Sequence, residues 1–517
     1  MMREFSSLES LTLLSLFCCA LAYFWSHLAS FRSKLVGLPL PPGPQANWMG
    51  KVELPQIRPW LTYAQWKDVY GDLIYIRVLG NPILVLNSAI TASDLLEKRS
   101  GIFSSRPLRT MIVELIGWDW LFSAFPYGSW WQAHRIMFNR HLPPNGSSVV
   151  WHPLQIQETH AMCRRLLESP QEFRYHVRKT AARIILKMTY GSQVGAGDDY
   201  VMLADKALAS LAQAGIFGSF LVDYLPFLKY APSCFAFQRK ARKWRTPVRA
   251  MLDTPFISVK EEMAQGVASQ CMVSQELERL SQSRELSLSH ESIIKNVAAT
   301  MYAAGSDTVV SAISSFFLVM SLYPEVQKRG QMEIDKVIGP EHRLPLFTDR
   351  PQMPFIDYIC NELLRWNPVT PLGLAHYITE DNEYKGYRLP KGTTVLPNVW
   401  AILHDPEMYP DPLTFNPERF SPENRVNGLN QIPDAAFGFG RRLCPGRFLA
   451  FDTLWIVVAT MLTVYDISKE IDETGKVKEP CAEFTPHLLS HPMPFGCSII
   501  PRSPAARQLI VQTEIHT

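Results

Sequence analysis

Apolar residues recur at helical spacing through most of this chain and at strand spacing only near its two ends. Trp60–Tyr70 predicts an amphipathic helix. Leu73–Val78 and Ile83–Leu86 predict two strands joined by a hairpin turn at Gly80-Asn81. From Ser93 to Asn367 the pattern is mainly helical. Its strongest segment is Ser289–Tyr323, with Ser289 as N-cap, Glu291 in the first turn and Pro324 as the stop. Between Val297 and Leu322 this segment is apolar nearly all round, which predicts burial. Pro368–Pro433 reads as proline-rich strand and loop, a helix follows from about Gly446 to Val464, and the chain closes in loops and short strands. No linker or repeat divides the sequence, although 517 residues suggest about three domains by length. The expectation is an α+β fold, mainly α, around one core.

Composition narrows the class. Hydrophobic residues make up 47%, enough for a large core and too many for disorder. A net charge of +3 is too small to argue for nucleic acid. Nine cysteines, an odd number without C-x-x-C pairs, suit a reducing compartment better than a disulfide framework. Leu11–Phe31 is apolar and long enough to span a bilayer. Arg32 and Lys34 follow it, which places the rest of the chain in the cytosol by the positive-inside rule. The rival reading is a secretory signal, with Leu11–Leu21 as its apolar stretch and Ala20-Leu21-Ala22 as its cleavage site. Against it stand the unpaired cysteines and the stiff Pro39–Pro44 stretch. The expected organisation is an anchor over 1–31, a basic and proline-rich hinge over 32–50, and a main domain over 51–517. The sequon at Asn145-Gly146-Ser147 would then be cytosolic and unused.

Candidate chemistry concentrates in Phe437–Gly446, reading F-G-F-G-R-R-L-C-P-G. Gly438, Gly440 and Gly446 let the backbone turn tightly and approach a bulky ligand. Arg441 and Arg442 bring positive charge beside Cys444. Pro445 suits the first turn of a helix, which puts Cys444 at a helix N-terminus, where a thiolate is favoured. The plainer reading is a buried free cysteine. Within the apolar helix, Ala304-Gly305-Ser306-Asp307-Thr308 places a glycine and an acid where both cost stability. Glu362 and Arg365 lie at i, i+3, and Trp131 and Arg135 at i, i+4, with Trp130 leaving the register of the second pair open. His487 and His491 also lie at i, i+4, but prolines flank them and no third ligand is near, so zinc is disfavoured. No P-loop, H-E-x-x-H, G-x-S-x-G or dinucleotide fingerprint occurs.

Together these motifs resemble the cytochrome P450 family. Phe437, Gly440, Arg442, Cys444 and Gly446 match every fixed position of its F-x-x-G-x-R-x-C-x-G signature. Ala304–Thr308 matches its oxygen-activation motif, and Glu362-x-x-Arg365 and Pro417-Glu418-Arg419-Phe420 match its E-x-x-R and P-E-R-F. Met353–Pro368 and Trp400–Tyr409 look like fungal microsomal members, especially those of basidiomycete natural-product clusters. The resemblance implies one mainly helical domain with a small β-rich side and a haem b held by Cys444. It implies carboxylate contacts to haem from Trp131, Arg135, Arg442 and His376, and proton handling by Asp307 and Thr308 beneath a helix opened at Gly305. Glu362, Arg365 and Arg419 become a structural network.

The absent flavin and dinucleotide sites then imply electrons from an NADPH–cytochrome P450 reductase, with cytochrome b5 as an optional second donor, and an endoplasmic-reticulum address. The implied reaction is oxidation by O2 of an apolar natural-product skeleton, terpenoid favoured, polyketide or aromatic as alternatives. Its pocket is expected from Leu108–Phe122, Ala214–Leu225, Met301–Ala304, Val369–Leu374 and Phe484–Leu489. Ile216–Leu228 is apolar enough to dip into a membrane. Two other classes stay open: a haem-thiolate isomerase or dehydratase that needs no reductase, and a non-enzymatic membrane haem-binding protein.

Overall fold

A computed structural model describes residues 37–45, 52, 54–55, 57–143, 148–191, 199–216, 218–282, 288–339, 342–424 and 433–514. The apolar stretch Leu11–Phe31 and the sequon at Asn145 lie outside these residues.

The chain opens with α1 (Pro59–Tyr70), β1 (Leu73–Val78) and β2 (Asn81–Leu86). The long helices that follow are α2 (Ser129–His141), α3 (His152–Glu168), α4 (Phe173–Tyr190), α5 (Asp199–Gly215), α6 (Ala236–Ala264), α7 (Met272–Gln282), α8 (Leu288–Leu322), α9 (Pro324–Ile338) and α10 (Pro354–Trp366). Then come β3 (His376–Tyr377), β4 (Asn382–Tyr384), β5 (Tyr387–Leu389), β6 (Thr394–Pro397), α11 (Arg447–Val464), β7 (Tyr465–Lys469), β8 (Cys497–Pro501) and α12 (Pro504–Gln512). The architecture is α+β and mainly α.

The largest sheet has the order β1-β2-β6-β3. β1 and β2 form an antiparallel hairpin, while β2 runs parallel to β6 with Ile83 opposite Thr394. This pairing explains why length misleads about domain number. The first strands and the late strands share one sheet, so the helical body between them cannot separate as an independent unit. Asn398 strengthens the junction by donating to the carbonyl of Trp60 at 2.9 Å and to Oδ1 of Asn87 at 2.8 Å.

Three local expectations shift. The hairpin turns at Leu79-Gly80, both in the left-handed region with φ of 48° and 84°, one residue earlier than Gly80-Asn81. Such φ values at both centres suit the twist of a two-residue hairpin. α8 begins at Leu288, so Ser289 lies inside the helix and is not its cap. Pro324 does end α8, but it also opens α9 as that helix's first residue, where a missing N–H costs nothing.

α8 and α11 are apolar enough to cross a bilayer, yet both are packed inside the protein. α8 is the central rod and packs most extensively against α4. Around it, one apolar cluster joins α2, α4, α5, α6 and the first half of α8. A second joins α3, α10, α11 and the rest of α8. The proline-rich segment 37–45 spans two sheets: the carbonyl of Pro39 accepts from the backbone N–H of Arg388 in β5, and that of Pro42 from the N–H of Tyr75 in β1, each at 2.8 Å. A Cβ on Gly43 would sit 1.9 Å from the carbonyl oxygen of Tyr75, so only glycine permits that approach.

Candidate active site

The loop before α11 folds on itself through backbone groups. Cys444 N–H donates to the carbonyl of Phe437 at 2.9 Å, closing a ring around the turn Gly440–Arg442. Gly440 has φ 54°, and a Cβ there would stand 2.2 Å from the carbonyl oxygen of Leu96. The close approach this glycine allows is therefore to the chain's own backbone and not to a ligand. Gly446, in contrast, faces the cavity with open space around its missing side chain. α11 starts only at Arg447, because Pro445-Gly446 forms a turn. Cys444 thus precedes the helix by a turn and does not sit at its N-terminus. Burial pushes its thiol up, while a Gly446 N–H and the nearby charges of Arg135 and Arg447 pull the other way. A cation bound at the sulfur would tip that balance to thiolate.

Cys444 forms part of the wall of a cavity of about 420 Å³. Ala304, Gly305 and Thr308 of α8 line it as well. Ala304 is exposed into this space although it lies mid-way along a buried helix. α8 runs unbroken through Gly305, so the expected opening of the helix is absent. Gly305 instead lets α4 come close: a Cβ there would lie 2.8 Å from Cδ1 of Ile185. The Thr308 hydroxyl donates to the carbonyl of Ala304 at 2.7 Å.

Arginines gather at the rim. Trp131 is buried and lines the cavity with Arg135, whereas Trp130 turns outward, which settles the register of that pair. The Arg442 guanidinium lies 4.4 Å over the Trp131 ring. Arg442 donates to the carbonyls of Ser104 and Phe125, both at 2.7 Å, and Arg135 to that of Leu443 at 2.9 Å. Arg106, which no motif singled out, donates to the carbonyls of Leu374 and Ala375, both at 2.7 Å. His376 uses Nδ1 to donate to the carbonyl of Phe103 at 2.8 Å. Arg441, expected beside the thiol, points out and donates to the Tyr127 hydroxyl at 2.6 Å.

These rim partners are carbonyls, which satisfy hydrogen bonds without neutralising charge. No Asp or Glu is among the described residues lining the cavity, and Nη1 of Arg442 is buried without a partner. Burial, then Arg106, then Arg135 depress the basicity of Arg442, and burial and Arg106 hold His376 well below the ordinary imidazole value. A ligand carrying carboxylates would relieve all of these groups at once. The donor set therefore fits haem: one cysteine sulfur for iron, and a cluster of uncompensated cations for its carboxylates.

Asp307 stands apart from the cavity. Its Oδ1 pairs with Nη2 of Arg178 at 3.0 Å and its Oδ2 with Nε2 of His491 at 3.3 Å. Glu362 is fully buried and accepts from Nε of Arg365 at 2.6 Å, from Nη2 of Arg365 at 2.8 Å and from Nε of Arg419 at 3.0 Å. The two arginines spend their other donors on carbonyls of residues 403–414. This network ties α10 to the segment 403–419, and none of its three side chains lines the cavity. Each of the five segments expected to form the pocket contributes to its wall, joined by Trp60, Tyr63, Met188 and Leu211, which were not expected.

The family model described as "Cytochrome P450" matches residues 41–495. Cytochrome P450 monooxygenase 98 of Postia placenta is 42% identical over 494 residues, covering 93% of this chain and 94% of that protein. Cytochrome P450 monooxygenase COX2 of Coprinopsis cinerea is 41% identical over 485 residues, 92% of each chain. Cytochrome P450 monooxygenase claR of Ampulloclitocybe clavipes is 39% identical over 479 residues, 91% of this chain and 88% of that protein. With the cysteine loop, the cation rim and the end-to-end likeness in agreement, this chain belongs to the cytochrome P450 family and is an oxidoreductase of its monooxygenase type.

Proposed function

We propose that this monooxygenase oxidises C–H bonds of an apolar natural-product skeleton, terpenoid favoured, in fungal secondary metabolism, and that its cofactor is haem b. The observation that carries the reading is one cavity that joins Cys444 to Ala304, Gly305 and Thr308 of α8, with largely apolar walls and no carboxylate among the described lining residues. Cys444 would ligate the iron, and Arg106, Arg135, Arg442, His376 and Trp131 would receive the haem carboxylates. When bound, haem supplies O2 activation and transfer of one oxygen atom to carbon.

The chain's own residues supply the rest. Leu, Ile, Val, Met and Phe side chains bind the skeleton and exclude water. Thr308 donates its hydroxyl proton to Ala304, which leaves oxygen lone pairs to accept and hold a proton at the cavity wall. Asp307 carries protons inward from its ion-paired position behind the helix. Residues 1–31 anchor the protein in the endoplasmic-reticulum membrane with the main domain in the cytosol. The electron donor is an NADPH–cytochrome P450 reductase, with cytochrome b5 as an optional second donor.

The test is the reduced, CO-bound difference spectrum of wild type and Cys444→Ala, followed by expression with a reductase in a host fed apolar skeletons. Wild type should give the red-shifted Soret band of thiolate ligation, Cys444→Ala should lose it, and Thr308→Ala should keep it while diverting reducing equivalents to peroxide. A wild-type spectrum without that band would end the reading. Turnover without NADPH or reductase would replace it with an isomerase.

A further inference from the structure

His491 falls outside every motif of this chain, yet its imidazole reaches the one carboxylate of the Ala304–Thr308 segment. Nε2 of His491 is 3.3 Å from Oδ2 of Asp307, and Nη2 of Arg178 is 3.0 Å from Oδ1. Oδ1 is therefore in an ion pair and Oδ2 in a hydrogen bond, with groups on different parts of the fold. Arg178 belongs to α4 and is itself fixed by Asp205 of α5 at 2.8 Å. Burial alone would push the Asp307 carboxyl up. The hydrogen bond and charge of His491, with Arg178, outweigh burial and keep it below its ordinary value. The carboxylate is thus charged, buried and turned away from the cavity.

The segment carrying His491 is rigidly tied to α8. Thr485 N–H donates to the His491 carbonyl at 2.8 Å, and His491 N–H donates to Oγ1 of Thr485 at 3.0 Å, which closes the turn. Ser490, the residue before His491, donates its N–H to the carbonyl of Val369 at 2.8 Å and its hydroxyl to Oδ1 of Asn367 at 3.0 Å. Its carbonyl accepts from Nδ2 of Asn367 and from the Ser311 hydroxyl, one turn along α8 from Asp307. His487, Leu488 and Leu489, immediately upstream, line the cavity. The turn therefore touches substrate space with one end and Asp307 with the other.

We propose that His491 is the positioning residue of Asp307: by hydrogen-bonding Oδ2 it fixes where the carboxylate sits relative to Thr308, and so how protons reach the cavity. The proposal rests on the reading of Asp307 as the proton-carrying group. His491 need not transfer a proton itself; a neutral donor at the same place should serve.

The holoenzyme, reconstituted with a fungal reductase and no added substrate, is compared as wild type, His491→Phe, His491→Gln and Asp307→Asn. Two quantities are read: the C–O stretching band of the reduced, CO-bound protein, and the peroxide released per NADPH oxidised. Thermal unfolding of each variant checks that it is folded. Loss of one charge-assisted hydrogen bond at Asp307 should raise peroxide release in His491→Phe by about threefold or more and shift or split the C–O band. His491→Gln should restore both to near wild type. A His491→Phe protein that matches wild type in both readouts overturns the proposal. So does a His491→Gln protein as defective as His491→Phe, because the imidazole would then act as proton donor. If Asp307→Asn also matches wild type, the fault lies in the reading of Asp307. If Asp307→Asn is altered and His491→Phe is not, the fault lies in the role given to His491.

Discussion

Replacing Glu362 with Gln removes one charge from a site where two others depend on it. The carboxylate is fully buried, as is Arg365, and Arg419 is nearly so. Glu362 accepts three arginine hydrogen bonds and a fourth from the N–H of Asn416 at 2.9 Å. Glutamine can accept at one end only, and its amide would place a donor against the Arg365 fork. Two guanidiniums would be left sharing one neutral acceptor. Breaking a buried pair in this way costs about 3–5 kcal/mol. With an unfolding entropy of about 2 cal/mol/K per residue over a chain of this size, that corresponds to a fall in Tm of about 3–5 °C. The assay is thermal and urea unfolding of the holoenzyme, followed by circular dichroism and by the Soret band. Lys98→Ala, which removes an exposed i, i+4 pair with Asp94 at 2.7 Å, is the control and should cost less than about 1 kcal/mol. A Glu362→Gln protein no less stable than Lys98→Ala would refute the claim that burial makes this network matter.

Two further outcomes follow from named geometry. Gly440→Ala forces a side chain into a left-handed residue and against the Leu96 carbonyl, so it should lose about 3 kcal/mol or more and lower haem content per chain. Burial, with Arg365 nearby, holds the imidazole of His404 down to about 3, while it hydrogen-bonds the Trp400 carbonyl and stacks on that ring. Its folded value lies below its unfolded one, so the unfolded chain binds more protons in between. Stability is therefore complete above about pH 6.5 and falls as the pH drops towards 3, by about 2 kcal/mol at pH 5 from this residue alone. His404→Phe should flatten the Tm–pH curve by about one proton between pH 7 and 5; an unchanged slope would contradict the neutral, buried state.

What could be read in advance divides by distance along the chain. β1 is legible to the residue because its signal is local, and the span of α8 to within one residue at each end, because its apolar run is continuous. Cys444, Thr308 and Glu362 were legible because short motifs carry them. The rim was legible only in part: Arg106 has no motif, and its partners, the carbonyls of Leu374 and Ala375, lie far along the chain. In the sequence His491 reads only as a disfavoured zinc ligand, since its partner Asp307 is 184 positions away. The glycines misled in a consistent direction. Gly305 and Gly440 look like openings for a ligand, but each serves a close approach between parts of the chain itself, to Ile185 and to Leu96. Spacing reveals that a small residue is needed and does not reveal what comes near it.

The docking of residues 37–45 across two sheets also sets a leash length. Pro39 and Pro42 are tied by backbone hydrogen bonds to Arg388 and Tyr75. If Leu11–Phe31 lies in a bilayer, only the few residues between Phe31 and Gly37 remain to connect membrane and body. Fully extended, they reach roughly 20 Å. A tether that short would leave the catalytic body little freedom to move away from the bilayer. A hydrophobic molecule could then pass from bilayer to cavity without crossing bulk water. Lengthening the 32–36 segment with a flexible insert should slow turnover of the most water-insoluble substrates first, and leave soluble ones untouched.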